Sequence, residues 1–201
     1  MKKKRLTVDY VLEFRRAVAH MILGVFIVLF VLNTSVLFTT YCLLAAILLG
    51  FILSAFLRKN KIPGMYFLLL KFERKKNLRL LPGKGAIFFF IGSLIALLLF
   101  PQNVALASIM ILAIGDGFTN IFGPLGKMRN VFHDKKKLEG TIIGFFGAAF
   151  AAGLFVRPWI ALLGALCAML AELINLEEFH IDDNILMPIV AGIIMTLLSG
   201  F

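Results

Sequence analysis

One acid, a string of glycines and a cluster of lysines interrupt an otherwise apolar chain. Over residues 113–141 it reads Ala-Ile-Gly-Asp-Gly-Phe-Thr-Asn-Ile-Phe-Gly-Pro-Leu-Gly-Lys, then a short basic loop, then Lys-Lys-Lys-Leu-Glu-Gly-Thr. A carboxylate such as Asp116 inside a membrane-spanning run costs about 2.5–3.5 kcal/mol near a helix centre, so its presence marks a functional position. Gly115 and Gly117 flank it and weaken the helix there, and Gly123 and Gly126 follow. Glycines let a backbone approach phosphate closely, and Lys127 and Lys136 would neutralise it. Glu139, at a helix start beside lysines and just before Gly140, suits a metal shared with phosphates. Glu172, Glu177, Glu178, Asp182 and Asp183 gather near His180 and Asn184 as the one acidic patch of the sequence. Such a patch is either a solvated loop or a set of oxygen ligands for a hard cation such as Mg2+. Together these groups point to an anionic, phosphorylated ligand at a membrane surface.

The elements that position them must be membrane helices. Of the 201 residues, 61% are hydrophobic and 16% charged, and the mean hydropathy is +0.97. An ordinary soluble domain is far more polar. The expected fold is all-α: one polytopic integral membrane helical bundle over 1–201, with no separate soluble domain. Apolar runs at about 17–32, 36–57, 85–100, 103–121, 141–156, 158–174 and 185–200 predict about seven transmembrane helices, several of them short. The basic 58–84 stretch holds an apolar piece, 62–70, too short to span and suited to an interfacial or re-entrant helix. Six basic residues precede the first run, nine lie in 58–84, five in 127–137, and Arg157 stands alone. With a cytoplasmic N-terminus, twenty of the 21 obey the positive-inside rule. The net charge of +10 is thus accounted for by anionic lipid headgroups at basic loops rather than by nucleic acid. The basic start Met-Lys-Lys-Lys-Arg is read as mature sequence, and Cys42 and Cys167, both in apolar runs, as packing residues. Arg16, His20 and Gly24 share one face of the first helix. Alone they would be a snorkelling arginine and a histidine bonded to a carbonyl.

In this order the residues resemble a known family, the CTP-dependent lipid alcohol kinases: dolichol (polyprenol) kinase, phytol kinase and CTP-dependent diacylglycerol kinase. The resemblance covers most of the chain from Arg16 onward. It rests on Arg16 and His20, Pro82-Gly83, Gly115-Asp116, the stretch from Gly123 to Gly126-Lys127, Lys136-Leu138-Glu139-Gly140, Glu172, and Asp183-Asn184 with Pro188. The chain departs from the family at Asn120, where a small residue is usual, and at Lys137, where serine or threonine is usual. The resemblance implies transfer of the γ-phosphoryl group of CTP to a membrane lipid alcohol at the cytoplasmic face, with a divalent cation. A dolichol or polyprenol is the favoured acceptor, with diacylglycerol and phytol open.

On this reading Asp116, Lys136 and Glu139 are the catalytic candidates. Gly115, Asn120, Gly123, Gly126, Lys127, Lys136, Gly140 and Asn184 would bind nucleotide. Asp116, Glu139, Glu172 and Asp183 would bind metal, and Arg16 and His20 would close the site on the lipid hydroxyl. Two other classes share part of the pattern. A phosphatidate cytidylyltransferase-like enzyme also uses CTP beside a lysine-rich loop, but its Asp-Arg-x-x-x-Asp element is missing here. A transporter also places acids and broken helices in the membrane, but no inverted repeat relates the two halves.

Overall fold

A computed structural model describes residues 2–60, 63–128, 137–173 and 182–200. Every regular element among them is helical. The first helix, α1 (Lys2–Asn33), stops two residues before α2 (Val36–Lys59), whose N-cap Ser35 accepts a 3.1 Å hydrogen bond from the Phe38 N–H. Next come α3 (Pro63–Phe72) and α4 (Lys75–Leu80), then a turn in which Gly83 takes φ +80°, a region open to glycine. That turn delivers the chain into α5 (Lys84–Leu99). After Pro101 the central helix follows in three pieces: α6 (Gln102–Met110), a π-helical turn (Ile111–Asp116) and α7 (Gly117–Phe122). A 3₁₀ turn (Gly123–Leu125) ends it. The bundle is completed by α8 (Leu138–Ala152), α9 (Pro158–Leu173) and α10 (Asp183–Ser199).

Among the described residues three helices are long and apolar enough to cross a membrane: Tyr10–Asn33, Val36–Lys59 and Gln102–Leu125. Among the described residues, the runs expected as further spans form helices of 16 (α5), 15 (α8), 16 (α9) and 17 residues (α10), shorter than the roughly 20 a full crossing takes. Burial separates the three long ones. The third is 72% buried along its apolar window, against 28% and 22% for the first two. It is therefore the core of the bundle, with Val104, Ala105, Ala107, Ile109, Ile111 and Ala113 fully enclosed. It touches α1, α5, α8, α9 and α10, while α2 packs on α5 at the outside. The outer surface is apolar: Phe150, Leu197 and Leu154 are all more than two-thirds exposed. In water so much exposed apolar area would drive association, so the chain is a membrane protein.

Candidate functional site

Short connections make successive helices antiparallel. The start of α5, the end of α7, the start of α8, the end of α9 and the start of α10 accordingly share one end of the bundle with Arg16 and His20 of α1.

Asp116 closes the π-helical turn. Single π turns inside α-helices insert an extra residue and recur at functional sites. Its flanking glycines are explained by packing. A Cβ at Gly115 would meet Met169 Sδ at 2.9 Å and Ala148 Cβ at 3.3 Å, and one at Gly117 would meet Met21 Cγ at 2.5 Å. Helices thus close on the backbone from both sides of the acid. Gly117 and Ile121, whose carbonyl lies 3.5 Å from the Tyr10 hydroxyl, face α1. Gly115 and Thr119 face α8 and α9, Thr119 with its buried hydroxyl unpartnered against Gly144. Asp116 and Asn120, one turn apart, fall on the remaining face. Both are half-buried, and Asp116 makes no hydrogen bond or ion pair among the described residues.

Beyond Asn120 the glycine-rich exit is clamped to the start of α8. Glu139 Oε1 accepts hydrogen bonds from the backbone N–H of Lys127 (2.7 Å) and Met128 (2.9 Å). These two donors hold the Glu139 carboxyl below the ordinary carboxylate value of 4.5. Its Oε2 lies against Gly126 and has no hydrogen-bond partner among the described residues. Gly140 abuts Gly123: a Cβ there would stand 2.6 Å from the Gly123 nitrogen and 2.8 Å from the Thr119 carbonyl oxygen. Lys127 is exposed at the head of the loop. Lys136, and with it Glu177, Glu178 and His180, lies outside the described residues.

On α1 the His20 Nδ1–H donates to the Arg16 carbonyl at 2.8 Å, so the neutral ring presents Nε2 as an acceptor. Nε2 stands over Gly85, 3.3 Å from where a Cβ would lie, and the ring meets Phe89 edge-on at 5.4 Å. Arg16 pairs with Glu13 at 2.9 Å. The same carboxylate receives a two-pronged contact from Arg74, at 2.7 and 3.1 Å, which ties α1 to the α3–α4 connection. Glu73, 5% exposed, accepts from the Arg74 N–H (3.1 Å) and the Asn77 amide (2.7 Å). Arg16, His20, Leu69 and Glu73 line a cavity of about 150 Å³.

The start of α10 meets that of α5. Asp182 caps α10 by accepting from the Asn184 N–H (3.2 Å) and side-chain amide (2.7 Å), and pairs with Lys84 at 2.9 Å. Pro188 supplies no N–H to the Asn184 carbonyl four residues back. That carbonyl instead lies on Gly92, at a distance no larger residue would allow. Glu172, 1% exposed, is enclosed near the end of α9, and Asp183 opens α10. Asp116, Glu139, Glu172 and Asp183 do not come together as a ligand cage: no three acidic, histidine or cysteine side chains form one among the described residues.

Four features escaped the sequence. The Glu13–Arg74 clamp, the Lys84–Asp182 pair and the buried Thr119 hydroxyl depend on tertiary packing and leave no local signal. Glu73 left one, being the lone acid among nine basic residues in 58–84.

No family model matches the chain, and no solved structure is similar to it. Among curated proteins it resembles CTP-dependent diacylglycerol kinase 1 of Schizosaccharomyces pombe, with 26% identity over 132 residues, 57% of this chain and 60% of that protein. It is 30% identical over 186 residues to the uncharacterized protein MJ1137 of Methanocaldococcus jannaschii, covering 91% of this chain and 92% of the other. With that identity over nearly the whole of both chains, the protein belongs to one family with MJ1137.

Proposed function

We propose that the protein is a CTP-dependent lipid kinase that phosphorylates the hydroxyl of a membrane lipid alcohol. The observation that carries this reading is the half-buried Asp116 carboxylate, unpartnered among the described residues, about two helical turns before a glycine-rich loop that Glu139 clamps to α8. The similarity to a CTP-dependent diacylglycerol kinase supports it. Phosphoryl transfer asks a protein mainly for positioning and charge neutralisation. Lys127, with Lys136, takes the phosphate charge, and Gly123 and Gly126 keep the loop free of bulky side chains beside the phosphates. Asn120 and Asn184 orient the nucleotide. The acceptor oxygen attacks the γ-phosphorus, the bond from phosphorus to the bridging β–γ oxygen breaks, and CDP leaves.

A cation carried by a nucleotide needs only one or two protein carboxylates, so the lack of a three-ligand cage is compatible with Mg2+, and Asp116 fits as its ligand. When bound, the ion would offset charge on the phosphates. Alternatively Asp116 takes up the hydroxyl proton.

The topology assigned to this enzyme is seven spans with a cytoplasmic N-terminus and site. The four helices of 15–17 residues, about 22–26 Å long, would cross a locally thinned bilayer. Among acceptors a dolichol or polyprenol comes first, with diacylglycerol and phytol beside it. The test is turnover by purified protein with Mg2+, CTP or ATP and each alcohol. CDP and a phosphorylated lipid, formed with CTP alone, are expected. Pyrophosphate and a CDP-lipid made from phosphatidate would overturn the reading.

A further inference from the structure

The cavity between α1, α3 and the start of α5 belongs to none of the nucleotide or metal positions above. It grades from polar to apolar over a short distance. Arg16, His20 and Glu73 lie at one end and Leu23 at the other, and seven residues of helix separate Arg16 from Leu23 by about 10 Å. Leu69 and Phe72 of α3 form the facing wall, and Ala19 and Phe72 are exposed at the rim. A volume of about 150 Å³ is that of a cavity that admits benzene, so it takes the end of a lipid and leaves the remaining chain in the bilayer.

Two observations specify that end. His20 Nε2 has no partner among the described residues and, with Nδ1 donating to the Arg16 carbonyl, it is the acceptor of the neutral ring. The surrounding charges are Arg16 and Arg74 against Glu13 and Glu73, which cancel. A neutral donor matches both; a phosphorylated head would face two carboxylates and find both guanidinium groups engaged near Glu13.

We propose that this cavity seats the hydroxyl end of the lipid acceptor, with the hydroxyl donating to His20 Nε2 and α3 as the wall past which the chain leaves. For the fate of the hydroxyl this rests on the lipid kinase reading; for binding it does not. In this seat the proton passes along that hydrogen bond to Nε2 as the oxygen attacks phosphorus, which leaves Asp116 to the cation.

The test is photolabelling of the full chain in lipid nanodiscs with diazirine-bearing prenol and diazirine-bearing diacylglycerol, the adducts mapped by mass spectrometry. Adducts in residues 16–23 and 69–73, competed by the unlabelled alcohol and not by its phosphate, are expected, and whichever probe labels names the acceptor class. Leu69→Trp should cut labelling at least fivefold, and Ala19→Phe, from the other wall, serves if the first variant does not fold. Asp116→Asn should keep labelling and lose turnover, whereas His20→Ala should lose both. Adducts elsewhere, or labelling competed equally by the phosphorylated lipid, would overturn the proposal. Turnover with labelling elsewhere would overturn the seat and leave the kinase; labelling here with no turnover from CTP would do the reverse.

Discussion

Asp116 and Glu139 are both carboxylates at the same end of the bundle, yet their surroundings give them opposite work. Asp116 has no partner among the described residues, so its charge is available to a ligand. Asp116→Asn keeps the shape and removes the charge. It should lower turnover by about 10²-fold or more, with the melting temperature in detergent nearly unchanged. Glu139 is spent on the protein itself, through the Lys127 and Met128 N–H groups. Glu139→Gln should weaken the clamp and raise the KM for nucleotide about tenfold, with a smaller effect on the KM for lipid. Because the folded carboxyl sits below 4.5, the clamp is complete above that pH and is lost as the pH falls through the lowered value. Nucleotide KM should therefore be flat from neutrality down to about pH 5 with respect to this group, and should rise only below it. Asp116 was legible in the sequence because an acid in an apolar run is conspicuous. Glu139 was legible as an acid before a helix, but its partners lie eleven and twelve residues back and depend on how the loop folds.

At the scale of elements, Gly115, Gly117 and Gly140 each mark a close helix contact. Gly140→Ala would drive a methyl group into the Gly123 backbone and the Thr119 carbonyl, neither of which can swing aside. It should cost about 1–3 kcal/mol, read as a lower thermal midpoint. Gly64→Ala, in the first turn of α3 with nothing within 4 Å, should leave the midpoint unchanged or raise it slightly. Helix positions were readable from apolar runs and from punctuation: Pro63, Pro101, Pro158 and Gly83 each stand at the start of a helix or in the turn before it. The π turn was not, because Gly115 and Gly117 announce a weak helix without saying how it yields.

For the whole molecule, the distribution of lysine and arginine makes the sharpest prediction. With Cys42 and Cys167 replaced by alanine, single cysteines at Asn60 and Gln102 should be modified by an impermeant thiol reagent from opposite faces of sealed vesicles, Asn60 from the cytoplasmic one. Labelling of both from one face would refute the topology. Seven apolar runs were legible, but the four short helices show why counting alone could not establish crossings: hydropathy measures composition, while length and bilayer thickness decide whether a helix reaches across. The π turn carries a consequence at this scale. Each residue advances an α-helix by about 100°, so one surplus residue sets the two halves of the central helix out of phase. The half from Gln102 is locked by burial in the core of the bundle, and the half ending at Leu125 carries Asn120 and the glycine-rich loop. The angle at which that loop meets α8 thus depends on a single surplus residue, and its loss would turn this end of the helix, Asn120 included, by about 100° onto another face.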